Sequence, residues 1–113
     1  MIIFKSRKAA WELYKYGWVK TVRPHKKREG VHKCILFLWR KKIIGLCRIR
    51  LYRELPTDPD KLMRILDAHA VYAGFRNGKE WLDEIKRLNH GKIPEKLYMY
   101  EVFLEEILKV EPL

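Results

Sequence analysis

The chain has 113 residues, 25 Lys and Arg against 14 Asp and Glu, a formal charge of +11, and 48% hydrophobic residues. That length suits a single domain over residues 1–113, and the apolar fraction excludes a disordered or fibrous chain. No run of about 18 uncharged apolar residues occurs, which excludes a membrane-spanning helix, and the start MIIFKSRK lacks a secretory apolar segment. The expectation is a cytoplasmic protein.

There is no Gln, and only Asn77, Asn89, Ser6, Thr21 and Thr57 represent the small polar residues. Few amides with abundant Lys and Glu fit a heat-adapted source. The same scarcity leaves only Ser6 for serine-based catalysis. Charge is uneven along the chain: Met1–Arg53 carries 16 Lys and Arg against two acids, a net of +14, whereas the remainder nets −3. Such asymmetry predicts one positive face that would concentrate a polyanion such as nucleic acid. Solubilising lysines on a heat-adapted surface are the plainer alternative.

Residues 2–4 read as a short strand. Ser6 then caps a helix whose Ala9, Leu13 and Tyr16 recur at helical spacing, and Gly17 stops it. Trp18 to Arg23 reads as a strand ended by Pro24, and His25 to Gly30 as a basic loop. Cys34 to Tyr52 reads as a hairpin turning at Arg40-Lys41-Lys42. Its second arm alternates, with Arg48, Arg50 and Tyr52 on one side and Ile49 and Leu51 on the other. Cys34 and Cys47 sit inside apolar runs and are expected to be core thiols, without a disulfide framework.

Asp58-Pro59 starts a second helix, with Leu62, Ile65, Leu66 and His69 on one face and Gly74 at its end. Asn77 to Glu80 resembles a capping box for a third helix striped by Trp81, Ile85 and Leu88. Asn89 to Pro94 is a turn, and Leu97 to Leu104 closes the pattern as a strand. No internal repeat or linker interrupts this α+β arrangement.

The order of these elements resembles the ASCH family of small PUA-like domains. Gly17-Trp18-Val19-Lys20-Thr21-Val22-Arg23-Pro24 is similar to the family's Gly-x-Lys-Thr-x-x-x-Arg segment. Ala73-Gly74-Phe75 followed by Glu80-Trp81 is similar to its Glu-Gly-Phe signature, and Leu97 to Phe103 to its closing strand. The resemblance implies a mixed β-barrel of five to six strands with two or three helices packed on it. It also implies RNA or nucleotide binding in a basic cleft beside the Lys-Thr strand.

One branch of the family resembles amidohydrolases that deacylate a modified cytidine using Lys, Thr and Glu. Here Lys20 and Thr21 are present, but Arg23 follows Thr21 after one residue and Ala73 stands at the glutamate position. Glu54 and Asp67 are the nearest alternative acids. The leading expectation is therefore RNA binding without a catalytic step, a cofactor, a membrane or an obligate protein partner. The alternatives are an enzyme acting on a modified nucleoside or RNA through Lys20 and Thr21, and a protein-interaction module.

Candidate RNA-contacting residues are Lys20, Thr21, Arg23, His25, Lys26, Lys27, Arg28, Arg48, Arg50 and Tyr52. Lys20 and Arg23 fall on opposite faces of a regular strand. Arg48 and Arg50 can span successive phosphates while Tyr52 stacks a base, although arginines equally guard a strand edge against aggregation. His25, His32 and Cys34 supply only one close pair, too few for a zinc site. His69 reads as a core histidine unless the cleft lies beside its helix. Trp81 and Trp39 read as core.

Overall fold

A computed structural model describes residues 1–113. In chain order the elements are β1 (Ile2–Phe4), α1 (Arg7–Tyr16), β2 (Trp18–Arg23), β3 (Gly30–Phe37), β4 (Lys41–Leu55), α2 (Pro59–His69), a 3-10 turn (Ala70–Ala73), α3 (Gly78–Leu88) and β5 (Leu97–Pro112). No helix is long and apolar enough to cross a membrane.

Local chemistry explains the helices. In α2, the Asp58 carboxylate accepts from Lys61 N at 3.1 Å, and Pro59 occupies the first turn. In α3, Asn77 Oδ1 accepts from Glu80 N at 2.9 Å. The Glu80 carboxylate reaches back to Arg76 N at 3.4 Å, one residue before the expected capping-box partner. Ser6 stands at the N-cap of α1, but its hydroxyl makes no capping bond. The second helix is shorter than its periodicity suggests. It ends at His69, and the single 3-10 turn delivers the chain to Gly74, whose φ of 88° favours glycine. A Cβ there would also lie 2.8 Å from Lys8 O, so α1 could not pack as it does.

All five strands form one mixed sheet in the order β1-β3-β4-β5-β2, with only the β1–β3 pair parallel. The expected barrel is not closed. β1 and β2 remain as the two edges, with no ladder joining the three residues of β1 to β2. Across this seam the Arg23 guanidinium donates from Nη1 to Ile3 O at 2.9 Å. The hairpin turn lies at Leu38–Arg40, earlier than expected, and Leu38 N bonds Lys41 O where β4 begins. The closing strand runs to Pro112 rather than stopping at Leu104.

Period-two alternation sends β5 side chains into two separate cores. Tyr100 and Val102 join Phe4, Leu13, Leu36 and Ile49 beneath α1. Leu97 and Met99 join Leu62, Leu66, Trp81 and Ile85 beneath α2 and α3. A register shift between Leu51 and Arg53 makes Tyr52 the extra residue of a bulge and sends Leu55 into the second core. Cys34 and Cys47 are fully buried free thiols of the first core. Trp81 is buried, but Trp39 is 56% exposed in the hairpin turn, where it meets Trp11 edge-on.

Candidate functional site

Strand β2 carries a cation on each of its faces. Register places Lys20 opposite Glu101 and Thr21 opposite Tyr100, so Lys20 shares the Leu97–Met99 side of the sheet and Thr21 the Tyr100 side. Lys20 and Thr21 therefore do not converge on one reacting centre, contrary to the joint role the resemblance implies.

The sheet surface around Lys20 is covered by α2 and α3 at one end only. At its open end β2 presents Trp18 and Lys20, β5 presents Glu101 and Phe103, and β4 presents Arg48, Arg50 and Tyr52. The end of α2 and the following turn border this area with His69 and Tyr72. Trp18 lies 5.5 Å from Tyr72 and 6.4 Å from Phe103, centroid to centroid. Tyr52 lies edge-on to His69 at 5.2 Å. Tyr52 and Tyr72 remain 45% and 48% exposed, so each ring keeps area free for contact with another molecule.

Lys20 is only 6% exposed, and its ammonium has no carboxylate within ion-pairing distance. Its Nζ lies 2.8 Å from His69 Nδ1, 4.0 Å from the Tyr52 centroid and 5.3 Å from that of Tyr72. Such cation–π contacts retain strength where water is excluded. An ammonium has only protons to give, so His69 Nδ1 accepts and the neutral ring carries its proton on Nε2. Burial pushes the Lys20 pKa below its ordinary value, partly opposed by Glu101. His69 is also lowered, by burial first and then by Lys20 and Arg53.

Arg48 and Arg50 lie on the open face with Tyr52, as alternation predicts, but both are engaged. Arg48 Nε donates to Glu105 at 2.8 Å, and Arg50 Nη2 to Glu101 at 2.7 Å. With Lys42 and Glu111 at 3.6 Å, these pairs set bases of β4 against acids of β5. The basic half of the sequence is therefore partly neutralised by the acidic half, because β4 and β5 are neighbours.

Three cations without acidic partners meet at a groove between the end of β4 and α2. Arg53, Lys61 and Arg64 line an open groove of about 580 Å³ with Glu54, Leu55, Pro56 and Ile65. None of the three forms an ion pair. Arg53 follows Tyr52 directly, so the groove adjoins the aromatic surface.

The remaining expected contacts lie elsewhere. Thr21, Arg23 and Lys27 line a pocket at the seam between β1 and β2, while His25, Lys26 and Arg28 are exposed in the loop after β2. His32 Nε2 is bonded to Arg28 O at 2.6 Å. No three His, Cys, Asp or Glu side chains gather to hold a metal. Asp67 accepts from Gly78 N at 2.8 Å and serves the α2–α3 packing, and Ala73 is buried. Sequence reasoning missed Trp18, Arg53, Lys61, Arg64, Tyr72 and Phe103 as surface features. His69 carried the one usable signal, an imidazole on an otherwise apolar helix face. No family model, no curated protein and no solved structure matches this chain.

Proposed function

We propose that this chain binds single-stranded RNA on the open face of its sheet, without a catalytic step. The observation that carries this reading is the grouping of exposed Tyr52 and Tyr72 around the buried, carboxylate-free ammonium of Lys20. Exposed rings on a sheet surface offer stacking planes to unpaired bases. The groove cations Arg53, Lys61 and Arg64 then follow the backbone leading away from that platform. The element order supports reading the chain as an ASCH-type, PUA-like domain, although its sheet is open at β1 and β2 where the family's barrel would close.

A second reading is favoured by one specific contact. The desolvated Lys20 amine bonded to His69 fits a nucleophile–base pair for hydrolysis of an acylated nucleoside. Thr21 cannot assist it from the opposite face, and Glu101 is held by Arg50. RNA binding needs neither residue to be reassigned, which is why it is preferred.

Fluorescence titration of a short single-stranded RNA and of a duplex tests the proposal. If three to five phosphates are neutralised, log affinity for the single strand falls with log salt at a slope of roughly 2–3.5. Lys61→Ala with Arg64→Ala shallows that slope by about 1 or more. Equal affinity for duplex and single strand, or a salt slope unchanged by these substitutions, would refute it.

A further inference from the structure

The other face of β2 carries a different feature. Where β1 and β2 fail to pair, a pocket of about 370 Å³ opens between the start of α1, the loop after β2 and the end of α3. Lys5, Arg23 and Lys27 line it, and no Asp or Glu does. None of these cations forms an ion pair anywhere in the molecule. Arg23 stacks on Phe4 at 4.9 Å and spends Nη1 on Ile3 O, yet its buried Nε has no acceptor. Burial lowers its pKa to about 10.

A second orphan lies in the same pocket. Ser6 is only 7% exposed, and its hydroxyl has no hydrogen-bond partner. It stands at the N-terminus of the ten-residue helix α1, whose first turn contains no acid to offset the positive end of the helix dipole. Thr21 adds a hydroxyl-bearing side chain that is 9% exposed. Lys27 is held over the pocket because its backbone N–H donates to the Tyr100 hydroxyl at 2.6 Å. Unpaired buried donors are costly, and native structures rarely leave two together unless something completes them.

We propose that this seam is a phosphate-binding site for a small phosphorylated molecule of nucleotide size. The oxyanion supplies the acceptors that the Arg23 guanidinium and the Ser6 hydroxyl lack, and Lys5 and Lys27 balance its charge. Ile3, Phe4, Val22 and Pro24 give the rest of the ligand an apolar wall. A free phosphate, a nucleoside monophosphate and the phosphorylated end of an RNA strand share this chemistry. The site lies on the opposite side of β2 from the RNA platform and does not depend on it.

Thermal melts with increasing phosphate or uridine monophosphate, at ionic strength held constant with chloride, provide the test. The expected result is a saturable rise in melting temperature, as for any ligand bound only by the folded state. The Lys5→Ala, Lys27→Ala double variant raises Kd about tenfold or more. Lys61→Ala with Arg64→Ala leaves it unchanged. In nitrogen–proton spectra the Arg23 Nε–H signal moves with phosphate, which a purely seam-bridging arginine would not show. A short RNA with and without a 5′-phosphate distinguishes the strand end from the free ligand: a larger rise with the phosphorylated strand, lost in the Lys5, Lys27 variant, assigns the site to strand ends. Absence of a saturable rise with phosphate and with uridine monophosphate together with no difference between the two strands, or a phosphate-dependent rise identical in the Lys5, Lys27 variant, overturns the proposal. Failure of RNA binding on the platform leaves the phosphate titration intact as a separate result.

Discussion

Lys20 and Arg23 are three residues apart on one strand, both largely withdrawn from water, and neither meets a carboxylate. Their surroundings differ in what replaces the missing anion. Lys20 is compensated by a neutral imidazole and two aromatic faces, so its charge is spread over a surface that stays open to large molecules. Arg23 is compensated by one carbonyl and one ring inside a pocket, and one of its donors stays unmatched. Because the fork of a guanidinium has fixed geometry, one N–H can stay unmatched where an ammonium would rotate to satisfy itself. Alternation along a single strand thus produces an open platform and an enclosed pocket.

The largest effect expected to separate the two faces is loss of the stacking rings. Base–aromatic stacking is worth about 1–3 kcal/mol per base, so Tyr52→Ala with Tyr72→Ala should weaken single-stranded RNA binding by roughly a hundredfold. Phosphate binding at the seam should be unaltered. Both rings are half exposed, so circular dichroism melts should show an intact fold. If affinity for RNA survives this double substitution, the open face is not the platform.

A smaller effect comes from the Lys20–His69 pair and depends on pH. The folded state holds the His69 pKa below its ordinary 6.5, so unfolded chains bind more protons as pH falls through that region. Stability therefore declines from about pH 6.5 down to the folded pKa and is flat below it. Lys20 has the same sign at alkaline pH. Its folded pKa lies below the ordinary 10.5, so stability rises as pH climbs from the folded value towards 10.5. His69→Asn keeps an acceptor for Lys20 but cannot titrate. Urea unfolding at pH 5.5 and 7.5 should show the wild type losing stability relative to this variant at the lower pH. Parallel behaviour of the two proteins would mean that His69 is free to protonate in the fold.

Arg48 and Arg50 should matter least. Each already has a carboxylate, and exposed pairs are worth only about 0–1 kcal/mol. Arg48→Ala or Arg50→Ala should change RNA affinity by less than about threefold. Glu101→Gln sharpens the comparison, because it frees Arg50 and removes the carboxylate nearest in register to Lys20. Tighter RNA binding by this variant is the expected direction in the same titration, and weaker binding would show that Glu101 organises the face.

Local signals made the helices legible. Asp58 with Pro59, Asn77 with Glu80, and Gly17 each act within a few residues of the boundary they set. The outer half of β5 was not legible, because Glu105, Glu106, Lys109 and Glu111 interrupt the apolar alternation after Leu104. It becomes strand because β4 supplies a partner as far as Lys41, with Lys42 paired to Glu111. The alternation of Arg48, Arg50 and Tyr52 was legible, but their neutralisation was not, since it arises from residues about 50 positions away. Likewise Lys20 stood out from its strand, while its imidazole partner lies 49 residues further along. Segregated charge along a chain predicts a segregated surface only when the two halves do not pair.

The same pairing of β4 with β5 has a consequence for how the chain reaches this structure. Its innermost pair, Leu55 with Leu97, encloses α2 and α3 in a loop of about 40 residues, whereas the outermost pair joins Lys41 to Pro112. The α2–α3 unit brings the ends of its own loop together, so loop-closure entropy favours starting the ladder at Leu55–Leu97, with three register irregularities between there and its outer end. Beyond Phe103, β5 has no β2 partner and Ile107, Leu108 and Val110 stay exposed, leaving that end with the least burial to hold it. It is therefore expected to open first, and native-state hydrogen exchange should find its amides exchanging ahead of those beside Tyr100.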